Sequence, residues 1–172
     1  MGGINVNFNI FFTNDCNLNC RYCYEGEKQK KYISKDVLDQ VLEFMERVSK
    51  GEGITVTTHG GEPLLVFQEI QYFIEKAKKR FDNICFKMTT NGTLLDETKI
   101  DFIEKNYNNL SISIDGNQKG YDANRVFRDG TGSFDLVTKN YKKIKERDIE
   151  LEARMTINPY NYMHVYEGVT VM

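Results

Sequence analysis

Two periods of apolar residues follow one another along this chain. Five segments carry apolar side chains at every second position, the period of a β-strand: residues 4–12, 54–58, 84–90, 110–114 and 151–157. Between them, apolar residues recur every three or four positions. This predicts helices that begin near Ser34, Val66, Asp96 and Ser133, and Pro159 suits the first turn of a last one. Such alternation predicts a parallel sheet covered by helices.

The predicted strands have one apolar face and one polar face. The polar face carries Thr55, Thr57, His59, Cys85, Lys87, Thr89, Ser111, Ser113, Glu152, Arg154 and Thr156. Strands buried on both faces of a closed barrel would instead be almost continuously apolar. We therefore predict an α/β fold, a partial (β/α)6 TIM-like barrel with helices outside, incompletely closed around a polar lumen. An open sheet with one solvated face is the alternative.

The composition changes this picture little. The chain has 172 residues, 40% of them hydrophobic and 28% charged, with a formal net charge of −2. This suits one ordinary domain and gives no indication of nucleic acid or an anionic membrane as a partner. The sequence has no apolar N-terminal stretch of the signal-peptide type and no run of about 18 apolar residues, so we expect a cytoplasmic protein.

The cysteines are the first candidate chemistry. Cys16, Cys20 and Cys23 lie within eight residues, whereas Cys85 is far away in the sequence. Without a secretory signal, such spacing favours metal binding over disulfides. A structural zinc ion would need a fourth ligand, such as His59 or Cys85. A [4Fe–4S] cluster held by three cysteines would keep one iron open for another molecule.

The other unusual motifs follow the ends of the predicted strands. The cysteine loop comes after the first strand, His-Gly-Gly-Glu-Pro (59–63) after the second, Thr-Asn-Gly-Thr (90–93) after the third and Ser-Ile-Asp-Gly (113–116) after the fourth. In parallel α/β folds, ligands bind at the carboxyl ends of the strands. We therefore expect these turns to form one site.

Taken together, these motifs resemble those of a known family. The C-x3-C-x2-C spacing with Tyr22 before the last cysteine, the Gly-Gly-Glu-Pro turn and the 113–116 motif are similar to those of the radical S-adenosylmethionine (SAM) superfamily, over residues 4–157. Segments 59–65, 90–95 and 113–134 resemble the peptide- and protein-modifying maturases, which include sulfatase-maturating enzymes and ribosomal-peptide maturases.

The resemblance implies a function. Cys16, Cys20 and Cys23 would hold a [4Fe–4S] cluster that cleaves SAM reductively, and the resulting 5′-deoxyadenosyl radical would take hydrogen from a peptide or protein substrate. A flavodoxin or ferredoxin would supply the electron. Residues 1–172 would be the N-terminal part of the core domain, truncated after about five βα units and lacking the sixth unit and any cysteine-rich C-terminal domain. We do not expect this part to turn over substrate alone, and we assign no catalytic acid or base.

The resemblance also implies roles for single residues. Gly60 and Gly61 would admit the SAM methionyl group, Glu62 would accept from its ammonium, and Pro63 would stiffen the turn. The remaining expected SAM contacts are Ser113 and Asp115 to polar atoms, Arg154 or Arg125 to the carboxylate, and Tyr22 with Ile157 to the adenine. Structural readings stand beside these. His59 would be a packed histidine and Cys85 an inert packing cysteine. Asn91–Gly92 would be only a turn or helix entry, and Arg154 would pair with Glu152 or another carboxylate of the lumen. The rival function is a non-catalytic zinc- or peptide-binding module that reuses the fold.

Overall fold

The computed structural model describes residues 5–26 and 28–169 as a five-stranded parallel sheet with helices. The strands are β1 (Asn5–Phe11), β2 (Gly53–His59), β3 (Ile84–Thr90), β4 (Asn109–Ser113) and β5 (Glu150–Arg154). The α-helices are α1 (Lys35–Ser49), α2 (Phe67–Arg80), α3 (Glu97–Asn106), α4 (Gln118–Asp122), α5 (Phe134–Lys145) and α6 (Val165–Val169). Short 3₁₀ helices cover Pro63–Val66 and Tyr162–His164.

The strands lie side by side in chain order, all parallel, with β1 and β5 at the two edges. The sheet formed by the described strands is not closed. The predicted fold class, an α/β partial barrel with parallel strands and helical crossovers, is confirmed. Because all five strands are parallel, their carboxyl ends lie at the same end of the sheet. The cysteine loop also begins there.

Helices α1 and α3 begin at the capping side chains that the sequence predicts, whereas α2 and α5 begin without a side-chain cap at Val66 and Ser133. The Ser34 hydroxyl accepts from the Val37 backbone N–H at 3.3 Å, and the Asp96 carboxylate accepts from Lys99 N–H at 2.9 Å. Between helices and sheet lies a continuous apolar core. A file of edge-to-face aromatic rings runs through it, composed of Phe12, Phe73, Phe86 and Tyr107.

The two faces of the strands differ as predicted. In β2, Ile54, Val56 and Thr58 are buried against the helices, whereas the alternate residues Thr55 and Thr57 are only half-buried. The polar residues therefore lie on the face away from the core. The prediction of an apolar helix-facing side and a more accessible polar side is confirmed for this strand.

The last strand ends earlier than predicted. The ladder stops when Ile114 N–H bonds the Arg154 carbonyl at 2.9 Å, and the Asp115 carboxylate then accepts the Thr156 N–H at 2.9 Å. This bond draws the chain out of the sheet, so Ile157 is 60% exposed instead of packing on a helix. The first predicted strand matches β1 except at its ends, and Ile4 lies outside the described residues.

The prediction of a helix starting at Pro159 was wrong. Asn161 closes a turn there: its side chain accepts from Asn158 N–H and donates to the Thr156 carbonyl, both at 2.8 Å. The α-helix begins only at Val165. The long irregular stretch after β4 also contains the short helix α4, which the sequence pattern did not indicate.

None of the helices in the described part of the chain combines the length and apolar character that a membrane crossing requires.

Candidate active site

The cysteine loop leaves the carboxyl end of β1 and is fastened to the segment after α4. Asn19 N–H bonds the Val126 carbonyl at 2.8 Å, and Arg21 N–H bonds the Asn124 carbonyl at 2.9 Å. All the cysteines are free thiols. Cys16 is buried, while Cys20 and Cys23 are half-buried. The loop thus turns its sulfur atoms toward the interior of the sheet edge rather than toward bulk solvent.

The three thiols share one neighbour, the ammonium group of Lys28. It contacts the Cys23 Sγ atom and interacts electrostatically with Cys16 and Cys20 as well. The Lys28 ammonium is therefore near enough to all three thiols to favour their ionised forms. Burial raises the pKa of Cys16 to about 11 and also raises the pKa of Cys20. A metal centre would have to displace these protons, as ligation by thiolates requires.

The donor set suits an iron–sulfur cluster. A [4Fe–4S] cluster distributes its cysteine ligands over separate irons, so three cysteines on one loop could bind three of its corners. Within residues 5–26 and 28–169, no three His, Cys, Asp or Glu side chains are arranged to hold one metal ion.

The Gly-Gly turn after β2 packs directly on the cysteine loop. Gly60 has φ +147°, and a Cβ there would lie 2.5 Å from the Thr13 carbonyl oxygen. A Cβ on Gly61 would lie 2.2 Å from the Asp15 carbonyl oxygen. Two backbone bonds of 2.8 Å, from Gly61 N–H to Thr13 O and from Glu62 N–H to Asp15 O, hold this contact. Only glycine allows this approach.

Glu62 points inward from this turn and is fully buried, and Pro63 beside it is buried as well. Its carboxylate accepts from Leu64 N–H at 3.1 Å, Thr90 Oγ1 at 2.7 Å and Asn91 N–H at 2.8 Å. Burial raises its pKa to about 7, although these donors favour the ionised form. Glu62 therefore joins the turn after β2 to the turn after β3.

Asp115 follows β4 and is also fully buried. It accepts from Arg125 Nε at 2.7 Å, from Thr156 N–H at 2.9 Å and from the Tyr22 hydroxyl. Burial works against the Arg125 charge, but the Asp115 carboxylate outweighs it and raises the Arg125 pKa above its ordinary value. Burial raises the pKa of Tyr22, so its hydroxyl stays protonated and donates. Asp115 thereby joins the cysteine loop to β4 and β5.

Arg154 and Ser113 lie at the ends of β5 and β4. Arg154 is exposed, and its NH1 bonds Thr89 Oγ1 at 3.3 Å. Glu152, its predicted structural partner, accepts instead from Ser111 Oγ at 2.7 Å. The guanidinium of Arg154 thus keeps most of its donors for another group.

A cavity of about 330 Å³ opens at the carboxyl ends of the strands. Its volume lies within the range of small-molecule binding sites. Eight of the predicted site residues line it: Cys20, Tyr22, Cys23, Gly60, Gly61, Ser113, Arg125 and Arg154. Cys16, Glu62, Pro63 and Asp115 lie behind its wall, and Ile157 does not line it.

Eight further residues line the cavity although the sequence analysis did not predict that they bind SAM. They are Tyr24, Glu25, His59, Thr89, Thr90, Asn91, Met155 and Thr156. The polar parity of Thr89 and the position of Asn91 at the end of a strand were usable signals. His59 is half-buried, its Nδ1 accepts from Gly60 N–H at 2.9 Å, and its ring lies 4.9 Å from that of Phe11, as a packed histidine would. Burial lowers its pKa.

The fold and this cavity define the class: an α/β partial-barrel protein with two cysteines lining a cavity at the carboxyl ends of its strands. The profile of the radical SAM superfamily matches residues 10–167, so the chain belongs to this superfamily of enzymes. The expected cofactors, a [4Fe–4S] cluster and SAM, are those of the family.

Relatives include sulfatase-maturating enzymes. The serine-type anaerobic sulfatase-maturating enzyme of Bacteroides thetaiotaomicron is 30% identical in an alignment of 156 residues, and the match covers 85% of this chain and 38% of that protein. The cysteine-type enzyme of Clostridium novyi is 26% identical in an alignment of 163 residues, and the match covers 89% of this chain and 44% of that protein. The chain therefore spans less than half the length of either relative.

Solved structures share the fold. Native anSMEcpe with bound AdoMet superposes with a TM-score of 0.87 at 22% identity, covering 98% of this chain and 48% of that one. Streptococcus suis SuiB bound to precursor peptide SuiA gives a TM-score of 0.74 at 19% identity, covering 96% of this chain and 36% of that one.

Proposed function

We propose that this chain carries the cluster- and SAM-binding part of a radical SAM enzyme that modifies a peptide or protein. The supporting observation is the single cavity that combines Cys20 and Cys23 with the Gly60–Gly61 turn and two arginines. When bound, the cluster and SAM supply the 5′-deoxyadenosyl radical that abstracts hydrogen. Residues 1–172 then form five βα units of the core domain.

The protein's own residues hold and orient these groups. Cys16, Cys20 and Cys23 provide three thiolate ligands. Gly60 and Gly61 would contact the SAM methionyl group, and the cysteine loop fills the space that a Cβ on either glycine would occupy, so the turn is rigid.

Other residues that line the cavity would make polar contacts to SAM. Arg125 and Arg154 supply the guanidinium groups for the SAM carboxylate, and Ser113 supplies a hydroxyl for its polar atoms. Tyr22 borders the adenine. Arg125 already donates from Nε and, at 3.4 Å, from NH2 to the Asp115 carboxylate, so its remaining donors would be held in a fixed orientation.

Buried residues support this arrangement from behind. Glu62 and Pro63 fix the Gly-Gly turn, and Asp115 fixes Arg125 and Tyr22. In this proposal Glu62 and Asp115 therefore act on SAM through the residues that they position.

The substrate class rests on the relatives. Sulfatase-maturating enzymes are among them, anSMEcpe has been solved with the Cp18Cys peptide, and SuiB with its precursor peptide. A peptide or protein substrate follows for the complete enzyme, with a flavodoxin or ferredoxin as electron donor. Nucleic acid and membrane are not expected as partners at a net charge of −2, and a cytoplasmic location remains a prediction.

Anaerobic reconstitution with iron and sulfide tests the cofactor assignment. We expect about four irons per chain and a broad visible charge-transfer absorption. Both should be lost in a Cys16→Ser/Cys20→Ser/Cys23→Ser variant and kept in the matched control Cys85→Ser. Protein that takes up one zinc per chain and no iron would support the zinc-binding module instead.

A further inference from the structure

The turn after β3 places an amide group against one of the three cysteines. The Asn91 Nδ2 atom lies 3.7 Å from the Cys16 Sγ atom, and both residues are only 6% exposed. Nothing in the proposed binding of SAM uses this contact. It is the one side-chain amide that the described residues direct at a cysteine sulfur atom.

A closed ring of hydrogen bonds fixes which end of the amide faces the sulfur. The Oδ1 atom of Asn91 accepts from the Thr93 backbone N–H at 2.9 Å and from Thr93 Oγ1 at 2.6 Å. Asn17 Nδ2 donates to Thr93 Oγ1 at 2.7 Å, and Asn91 Nδ2 donates to Asn17 Oδ1 at 2.9 Å. A backbone N–H can only donate, so the oxygen must face Thr93 and the NH₂ group must face Cys16.

The backbone that carries Asn91 is equally fixed. The buried Glu62 carboxylate accepts its N–H at 2.8 Å and holds Thr90 Oγ1 at 2.7 Å. On the other side of the turn, buried Asn140 donates to the Gly92 carbonyl at 2.9 Å. One N–H of the Asn91 amide is used by Asn17, so the second is available to the sulfur without any rearrangement.

We infer that Asn91 donates an N–H···S hydrogen bond to the Cys16 thiolate when that thiolate ligates the cluster, an inference that rests on the proposed function. A donor to a ligating sulfur stabilises the more negative, reduced cluster and so raises its reduction potential. Asn91 is then a positioning residue that sets how easily the cluster takes up the electron. Its neighbours Asn17, Thr93 and Glu62 serve to aim it.

Reduction potential is the direct readout. The midpoint potential of the reconstituted 172-residue chain is measured by EPR-monitored titration, without SAM. Asn91→Leu keeps the volume and removes the donor, so its midpoint should shift to more negative values. Asn140→Leu removes a buried amide from the same turn without touching a cysteine and should leave the midpoint unchanged. An unshifted Asn91→Leu, or an equal shift in Asn140→Leu, would overturn the inference.

A second measurement needs no variant and remains decisive if Asn91→Leu fails to fold. Protein labelled with ¹⁵N only at asparagine side-chain amides is reduced and examined by pulsed EPR. We expect a weak ¹⁵N coupling to the cluster; its absence in cluster-loaded protein contradicts the hydrogen bond. Wild-type protein that takes up no cluster at all would overturn the proposed function together with this inference.

Discussion

Replacing Asp115 by alanine would test the buried network that joins the cysteine loop to β4 and β5. The Asp115 side chain is fully buried and that of Arg125 is 9% exposed, with 2.7 Å between the Arg125 Nε and Asp115 Oδ2 atoms. Asp115→Ala removes the anion but leaves the guanidinium in place. It also removes the acceptor for the Tyr22 hydroxyl and the Thr156 N–H.

Removing one partner of a buried ion pair typically costs about 3–5 kcal/mol, since an uncompensated charge remains. We expect a loss of that size in the free energy of unfolding of Asp115→Ala. Tyr22 and Thr156 line the cavity, so water can bond the two donors that lose their acceptor. We therefore add no cost for them to the expected loss of stability. Arg125→Met in the same chain removes the stranded charge, and the double variant should be more stable than Asp115→Ala alone.

Equilibrium unfolding in urea, followed by circular dichroism, gives the free energies. Glu75→Ala is the matched control, because its ion pair with Lys79 is exposed and should contribute nothing measurable. If Asp115→Ala costs less than about 1 kcal/mol, the range of exposed pairs, the network does not hold the site together. A double variant less stable than Asp115→Ala would contradict the charge argument.

Three further predictions concern the turns and the open arginine. Burial raises the pKa of Glu62 from 4.5 to about 7, so the folded state binds an extra proton between these values and the free energy of unfolding falls as pH rises through them. Glu62→Gln should flatten this slope in urea unfolding at a series of pH values; an unchanged slope would assign it to other groups. Gly61→Ala forces a Cβ to within 2.2 Å of the Asp15 carbonyl, so reconstituted protein should contain less iron per chain than wild type, and full iron content would refute the packing argument. Arg154→Ala should leave the melting temperature unchanged, since the side-chain hydrogen bond that it removes, to Thr89 Oγ1, is long at 3.3 Å, but it should raise the SAM Kd about 10- to 100-fold in calorimetry. An unchanged Kd would remove Arg154 from the SAM site.

The periodic parts of the chain could be predicted from the sequence because local pattern decides them. The third strand has the predicted bounds, and Ser34 and Asp96 cap their helices as expected. The prediction failed where hydrogen bonds of a single polar side chain determine the course of the backbone. The Asp115 carboxylate ends β5 early, and Asn161 closes a turn where a helix was expected. Neither contact has a periodic signature.

The site residues, too, could be predicted where they lie on or just after a strand, but not where the chain leaves the periodic pattern. Placing the motifs at the carboxyl ends of parallel strands brought Cys20, Cys23, Gly60 and Ser113 to one cavity. Alternation of side chains could not be carried past the strand ends, however. Asp115 lies two residues beyond β4 and turns inward rather than into the cavity. The structure thus separates residues that can face SAM from residues that support them, a distinction that strand parity could not make.

The central claim is that three cysteines hold a cluster with an open iron facing the Gly-Gly turn. EPR of the reduced, reconstituted chain, before and after SAM is added, tests it most directly. We predict a [4Fe–4S]⁺ signal whose g-values change with SAM, and no signal when Cys16, Cys20 and Cys23 are replaced. An iron-loaded protein whose spectrum is identical with and without SAM would contradict the account.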